Sequence, residues 1–131
     1  MRRFFLASIG LLAALALAGP CCAHEIRPAL LDIVQRSEGW YEVTWKVPML
    51  GDARLAIQPV LPEGLTRIGE PTGRAVPGAW IERMTFKSDG EPLAGGTVFI
   101  NGLSTLQIDT MLRIELASGV SHSAILRPSS P

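Results

Sequence analysis

The chain has 131 residues, a formal net charge of zero and 47% hydrophobic residues. That is chain enough for one domain with a core of its own. It contains no basic patch for nucleic acid and no polybasic run for an anionic membrane surface.

Met1-Arg2-Arg3 opens the chain with positive charge, and Phe4 to Ala18 follows as an uncharged apolar run. Gly19-Pro20 breaks any helix there, and Cys21-Cys22-Ala23 ends in small residues. This is the order of a secretory signal peptide. The run falls short of the ~20 residues that span a bilayer. A cut after Ala23 sets Ala at position −1 and Cys at −3, just past the helix break. A cut after Ala18 also meets the small-x-small rule but leaves no polar stretch before it. Acylation of a cysteine is disfavoured because Pro20 precedes Cys21 and Cys21 precedes Cys22. The expected organisation is therefore a leader over 1–23, a domain over 24–127 and a disordered tail over 128–131, in the periplasm. Both cysteines leave with the leader, so the exported domain carries no disulfide, and its acidic residues slightly outnumber the basic ones.

From residue 29 onward, apolar residues alternate with period two and never hold helical spacing for three turns. The strands expected in chain order are 29–36, 40–47, 53–60, 64–69, 79–87, 96–101, 105–108, 111–118 and 121–127. The clearest is Trp40 to Val47, where Tyr41, Val43, Trp45 and Val47 share one face and Glu42, Thr44 and Lys46 the other. Turns are expected at Ser37-Glu38-Gly39, Pro48 to Asp52, Pro62-Glu63-Gly64, Pro71 to Gly78, Ser88 to Gly96 and Ser118-Gly119. Seven to nine short strands with turns at this spacing predict an all-β, immunoglobulin-like antiparallel β-sandwich.

The domain after residue 23 has no thiol, no glycine-rich phosphate loop and no Gly-x-Ser-x-Gly elbow. A serine–histidine pairing of His122 with Ser121 or Ser123 is opposed by strand geometry, because neighbours point to opposite faces. No acid–base pair is visible, and the expectation is a protein that is not an enzyme. His24 is the sharper candidate. As the first residue after the cut, it would offer its α-amino group and imidazole together to a divalent metal such as nickel, cobalt or copper. Glu25, His122 and Asp109 are candidate companions. Against this stands the plain reading of an exposed N-terminal histidine and a half-buried strand histidine. Among the aromatics Trp40, Tyr41, Trp45, Trp80, Phe86 and Phe99, core packing is expected, with Trp40 the best exposed candidate. Arg27, Arg54 and Arg113 either cluster or pair with Asp32, Asp52, Asp109 or Glu115.

Three stretches bear a resemblance: AHEIRPALL at 23–31, WKVPMLGDARL at 45–55 continuing into PVLPEG at 59–64, and INGLS followed by DTMLRIE over 100–115, ending in LRP at 126–128. In order and spacing the chain resembles the N-terminal exported domain of the HupE/UreJ family of hydrogenase and urease accessory membrane proteins. The resemblance implies an exported β domain with no established catalytic role, placed ahead of transmembrane helices that are linked to nickel or cobalt handling. Two departures stand out. Family members often carry cysteines where this chain has Leu65 and, roughly, Lys87, so the disulfide they imply is missing. No spanning hydrophobic segment follows residue 23, so the expectation is a stand-alone soluble version, the product of a split or truncated gene, or a membrane partner on a separate chain. The functional expectation is an accessory domain that assists metal handling with an integral membrane partner. The alternative is an interaction sandwich, bound through a sheet edge or an exposed aromatic, without a metal. A small hydrolase is the third possibility. No small-molecule substrate is identified.

Overall fold

The computed structural model describes residues 27–131. The expected leader, His24 and Glu25 lie outside the described residues. Nine strands follow one another: β1 (Ala29–Ser37), β2 (Trp40–Leu50), β3 (Ala53–Arg54), β4 (Gln58–Val60), β5 (Thr66–Val76), β6 (Ala79–Lys87), β7 (Phe99–Asn101), β8 (Thr110–Glu115) and β9 (Ser121–Leu126). The one helical element among the described residues is a 3-10 turn, Leu103–Thr105. The fold is all-β, as expected.

The main sheet runs β5-β6-β2-β1-β8-β9, with β3 paired to the end of β2; β4 and β7 form a separate two-stranded sheet. The layers are thus unequal, and one pairing departs from the antiparallel expectation: β1 runs parallel to β8, Ala29 opposite Thr110 through Val34 opposite Glu115. A parallel partner needs no adjacent turn, so β1 pairs with a strand that arrives much later in the chain.

Alternation decides which face is covered. Ala29, Leu31 and Ile33 of β1 and Tyr41, Val43, Trp45 and Val47 of β2 are buried. Ile57, Ile100, Leu103 and Ile108 close over them as the second layer. Buried apolar area at this density is the main stabilising term. The outer face carries the polar alternates, including a cross-strand ion pair in which Arg113 Nε donates to Asp32 Oδ1 at 2.8 Å. Arg36 makes a second such pair with Glu42 at 2.9 Å.

Two-residue turns join several strands. Glu38-Gly39 links β1 to β2, with Gly39 at φ 71°. A side chain there would also collide with the Ser88 carbonyl oxygen, so the turn admits only glycine. Pro77-Gly78 links β5 to β6. The turn expected over 71–78 is therefore shorter than the sequence implied. β5 continues through Pro71 because the ladder is irregular between Ile68 and Thr72, and β5 is an edge strand, where a missing N–H costs no ladder bond. The strands expected at 96–101 and 111–118 shrink to 99–101 and 110–115, and 53–60 divides into β3 and β4. No strand forms at 105–108; Leu106 and Ile108 instead pack from a loop onto the core. Residues 128–131, read as a tail, include a tight turn in which Arg127 N–H donates to the Ser130 carbonyl at 3.1 Å and Ser130 N–H returns the bond at 2.8 Å.

Candidate functional site

The two ends of the sandwich each hold a concavity. At the end where the described chain begins, a groove of about 630 Å³ is lined by Arg27, Pro48, Met49, Leu50, Leu55 and Ile108, among others. The β2–β3 hairpin, turning at Gly51-Asp52, builds one wall, and the loop ahead of β8 builds another. The lining is predominantly apolar, and Leu50 at the hairpin tip is 68% exposed. Ala29, Thr110 and Leu126 share one rung of the sheet, so both ends of the described chain leave from this side.

The opposite end holds a second pocket of about 470 Å³, lined by Gln35, Tyr41, Glu91, Leu93, Ile114 and His122, together with Ala94, Leu116 and Ser118. His122 pairs with Ile114, which pairs with Ile33. The imidazole therefore belongs to the inner, core-facing side of the sheet. It is nevertheless exposed, because on β9 only Leu126 packs against the core. Ser121 and Ser123 take the other face, so the serine–histidine pairing that the sequence disfavoured has no geometric support here.

Tyr41 is the buried anchor of this pocket, only 2% exposed. Its hydroxyl accepts a bond from Gln35 Nε2 at 3.4 Å, and Gln35 Oε1 in turn accepts from the Ala117 N–H at 3.1 Å. Burial pushes the Tyr41 hydroxyl above its ordinary value of 10.0, and the nearby Glu91 carboxylate pushes it further in the same direction. Apolar walls, a tyrosine hydroxyl, one carboxylate and one imidazole make a site for a polar or cationic group with an aliphatic body. They do not make a nucleophile–base pair.

Of the residues singled out as metal ligands, His122 and Asp109 lie among the described residues. No group of three or more His, Cys, Asp or Glu gathers there. His122 and Glu91 line one pocket; Asp109 is exposed ahead of β8, where its carbonyl accepts the Ala29 N–H at 3.1 Å. His122 sits four rungs along β1 from Ala29, about 13 Å at strand rise.

The arginines do not cluster. Arg113 pairs with Asp32 and, at 3.6 Å, Glu115. Arg54 stacks over the Trp80 ring, 4.5 Å from its centroid, and Arg27 lines the groove. Among the aromatics, Tyr41 and Trp45 are buried, while Trp80 and Phe86 pack against the core. Trp40 is exposed, as expected from its place on the polar face, with the Lys87 ammonium 5.9 Å from its ring centroid. Phe99 is exposed as well, contrary to the core packing expected of it, because β7 is too short and peripheral to cover both its faces. Sequence reasoning did not single out Gln35 or Glu91. Neither belongs to a motif, and only the meeting of β1, β2 and the 88–98 loop brings them together.

No protein-family model matches the chain, and no curated protein matches it.

Proposed function

We propose that this chain is a non-catalytic, exported accessory domain related to the HupE/UreJ family, working in the periplasm with an integral membrane partner and assisting the handling of nickel or cobalt. The observation that carries the reading is a convergence. Arg27-Pro28, the Pro48–Gly51 hairpin region, the segment from Asp109 into β8, and Leu126–Pro128 come from separate stretches of the resemblance, and all lie at one end of the sandwich. The apolar groove with its exposed Leu50 occupies that end, a suitable surface for docking. Leu65, one of the two positions where family members often carry a cysteine, directly precedes Thr66, which is paired with Lys87, roughly the other position. The imidazole and free amine of His24 would be the first metal donors, with Glu25 and His122 as companions.

Calorimetric titration with Ni²⁺, Co²⁺, Cu²⁺ and Zn²⁺ tests the metal reading on protein whose first residue is confirmed as His24. A control carries one extra Met ahead of His24, which separates the amine from the imidazole. Tight binding that the control loses supports the reading. Binding by neither form removes metal from the proposal.

The alternative, an interaction domain with no metal, gains from one observation. β9 ends the main sheet with no strand on its outer side among the described residues.

A further inference from the structure

The two edges of the main sheet are built differently. β5 carries Arg67, Glu70, Pro71 and Arg74, with an irregular register between Ile68 and Thr72. Charge, proline and irregularity are the devices that keep an edge from pairing with another chain. β9 has none of them. Its side chains are Ser121, His122, Ser123, Ala124, Ile125 and Leu126, with no Lys, Arg, Asp, Glu or Pro, and it stays in register with β8 through six consecutive pairs. The backbone hydrogen bonds outside the ladders do not reach Ser121–Leu126 among the described residues. Small residues at three of the six positions leave the main chain accessible.

This open edge runs along the 470 Å³ pocket, because His122 stands on the strand's inner face. A strand laid against β9 would send alternate side chains over that pocket. Leu93, Ile114 and Leu116 offer apolar walls for an aliphatic stem. Glu91 offers the carboxylate, and it makes no ion pair among the described residues. No lysine or arginine lines the pocket. On the outer face, Ile125 and its ladder partner Met111 are about half exposed and side by side, which gives the opposite alternates an apolar landing.

We propose that the free edge of β9 receives an extended segment of a partner polypeptide by strand addition, with a lysine or arginine of that segment entering the pocket and pairing with Glu91. Main-chain bonds supply the general affinity and the pocket supplies the choice of side chain. A long basic side chain suits both halves of the site, its methylenes on the apolar walls and its charge at the carboxylate. A second copy of this chain fits less well, since Ser121–Leu126 contains no lysine or arginine to offer a neighbour's pocket. The inference rests on the interaction reading given above and is independent of the metal reading.

The test uses ¹⁵N-labelled protein and three end-blocked Val/Thr heptapeptides: one with a central Lys, one with a central Glu, and the Lys peptide N-methylated at alternate backbone positions. The Lys peptide is expected to shift the amides of Ser121–Leu126 and to bind roughly tenfold tighter than the Glu peptide, a gap that Glu91→Gln closes and salt narrows. Equal binding of the N-methylated peptide would overturn strand addition. So would shifts confined to other surfaces, or no binding by any of the three. Self-association of the protein alone through β9, seen as concentration-dependent shifts of the same amides, would assign the edge to a second copy instead. Metal titration of the same sample reads the metal proposal separately, so either can fail without the other.

Discussion

Replacing Gly73 by alanine puts one methyl group where an aromatic ring already lies. Gly73 is opposite Glu82 on the β5–β6 ladder, two rungs from the Ala75–Trp80 pair and on the same face. A Cβ built on it would sit 2.8 Å from Trp80 Cε2 and 2.9 Å from Nε1, and closer still to Cζ2. Gly73 has no positive φ, so alanine meets no backbone penalty and the effect isolates the steric term. Overpacking of this kind costs about 1–3 kcal/mol. Removing a glycine from the unfolded chain returns roughly 0.4–1 kcal/mol. The net expectation is a loss of about 1.5 kcal/mol, which lowers the thermal midpoint by roughly 6–12 °C in a domain of this size. The ring has one alternative, to swing away from the sheet, and that gives up its stacking with Arg54 and exposes apolar surface, so it also destabilises. Thermal unfolding followed by tryptophan fluorescence and near-ultraviolet circular dichroism reads both outcomes. Gly90→Ala is the control, since it has ordinary φ and nothing within 4 Å of the added carbon, and it is expected to be neutral or slightly stabilising. A Gly73→Ala protein as stable as the Gly90→Ala protein would refute the packing assigned to Trp80.

Three further outcomes are expected. Leu31→Ala empties a fully buried position on β1 and should cost about 2–5 kcal/mol in urea denaturation at unchanged slope; a loss below 1 kcal/mol would mean that the two layers do not close on it. Thr110 is fully buried and its Oγ1 has no hydrogen-bond partner among the described residues, so Thr110→Val should be neutral or stabilise by about 1 kcal/mol, and a clear loss of stability would reveal a partner for the hydroxyl. Tyr41 is the single tyrosine of the chain, so its phenolate absorbance titrates alone. Its raised value means that below pH 10 both folded and unfolded states keep the proton, whereas above it the unfolded state ionises first and stability falls with rising pH. Tyr41→Phe should flatten that alkaline loss, and an identical alkaline decline in the variant would place its origin elsewhere.

What the sequence made legible follows from locality. The alternation of Trp40 to Val47 named the buried face of β2 residue by residue, and the turn expected at Ser37-Glu38-Gly39 followed from its glycine, with Ser37 belonging to β1 instead. The second layer was hidden because Ile57, Ile100, Leu103 and Ile108 come from short segments with no period to read. The second half of β5 was hidden by its own edge character, since Pro71 and Gly73 in mid-strand imitate a turn. The face of His122 was implicit in its alternation with Ala124 and Leu126. Its exposure was not, because that depends on which residues of β9 pack against the core. The pocket partners Gln35 and Glu91 carry no local signal, and only tertiary pairing makes them neighbours.

The parallel contact between β1 and β8 has a consequence in time. β1 acquires one neighbour at once through a two-residue turn, but the residues that flank its other side stand 81 positions later, as Asp32 and Arg113 do. At synthesis rates of roughly 5–20 residues per second, that interval lasts about 4–16 s. Throughout it, the first hairpin waits with an unsatisfied margin and an uncovered apolar face. Long-range closure of this kind slows folding, so the sheet is completed only as the C-terminal hairpin emerges. A chain that crosses a membrane before it folds would gain from that delay, because its first strand stays threadable until nearly the last one has arrived.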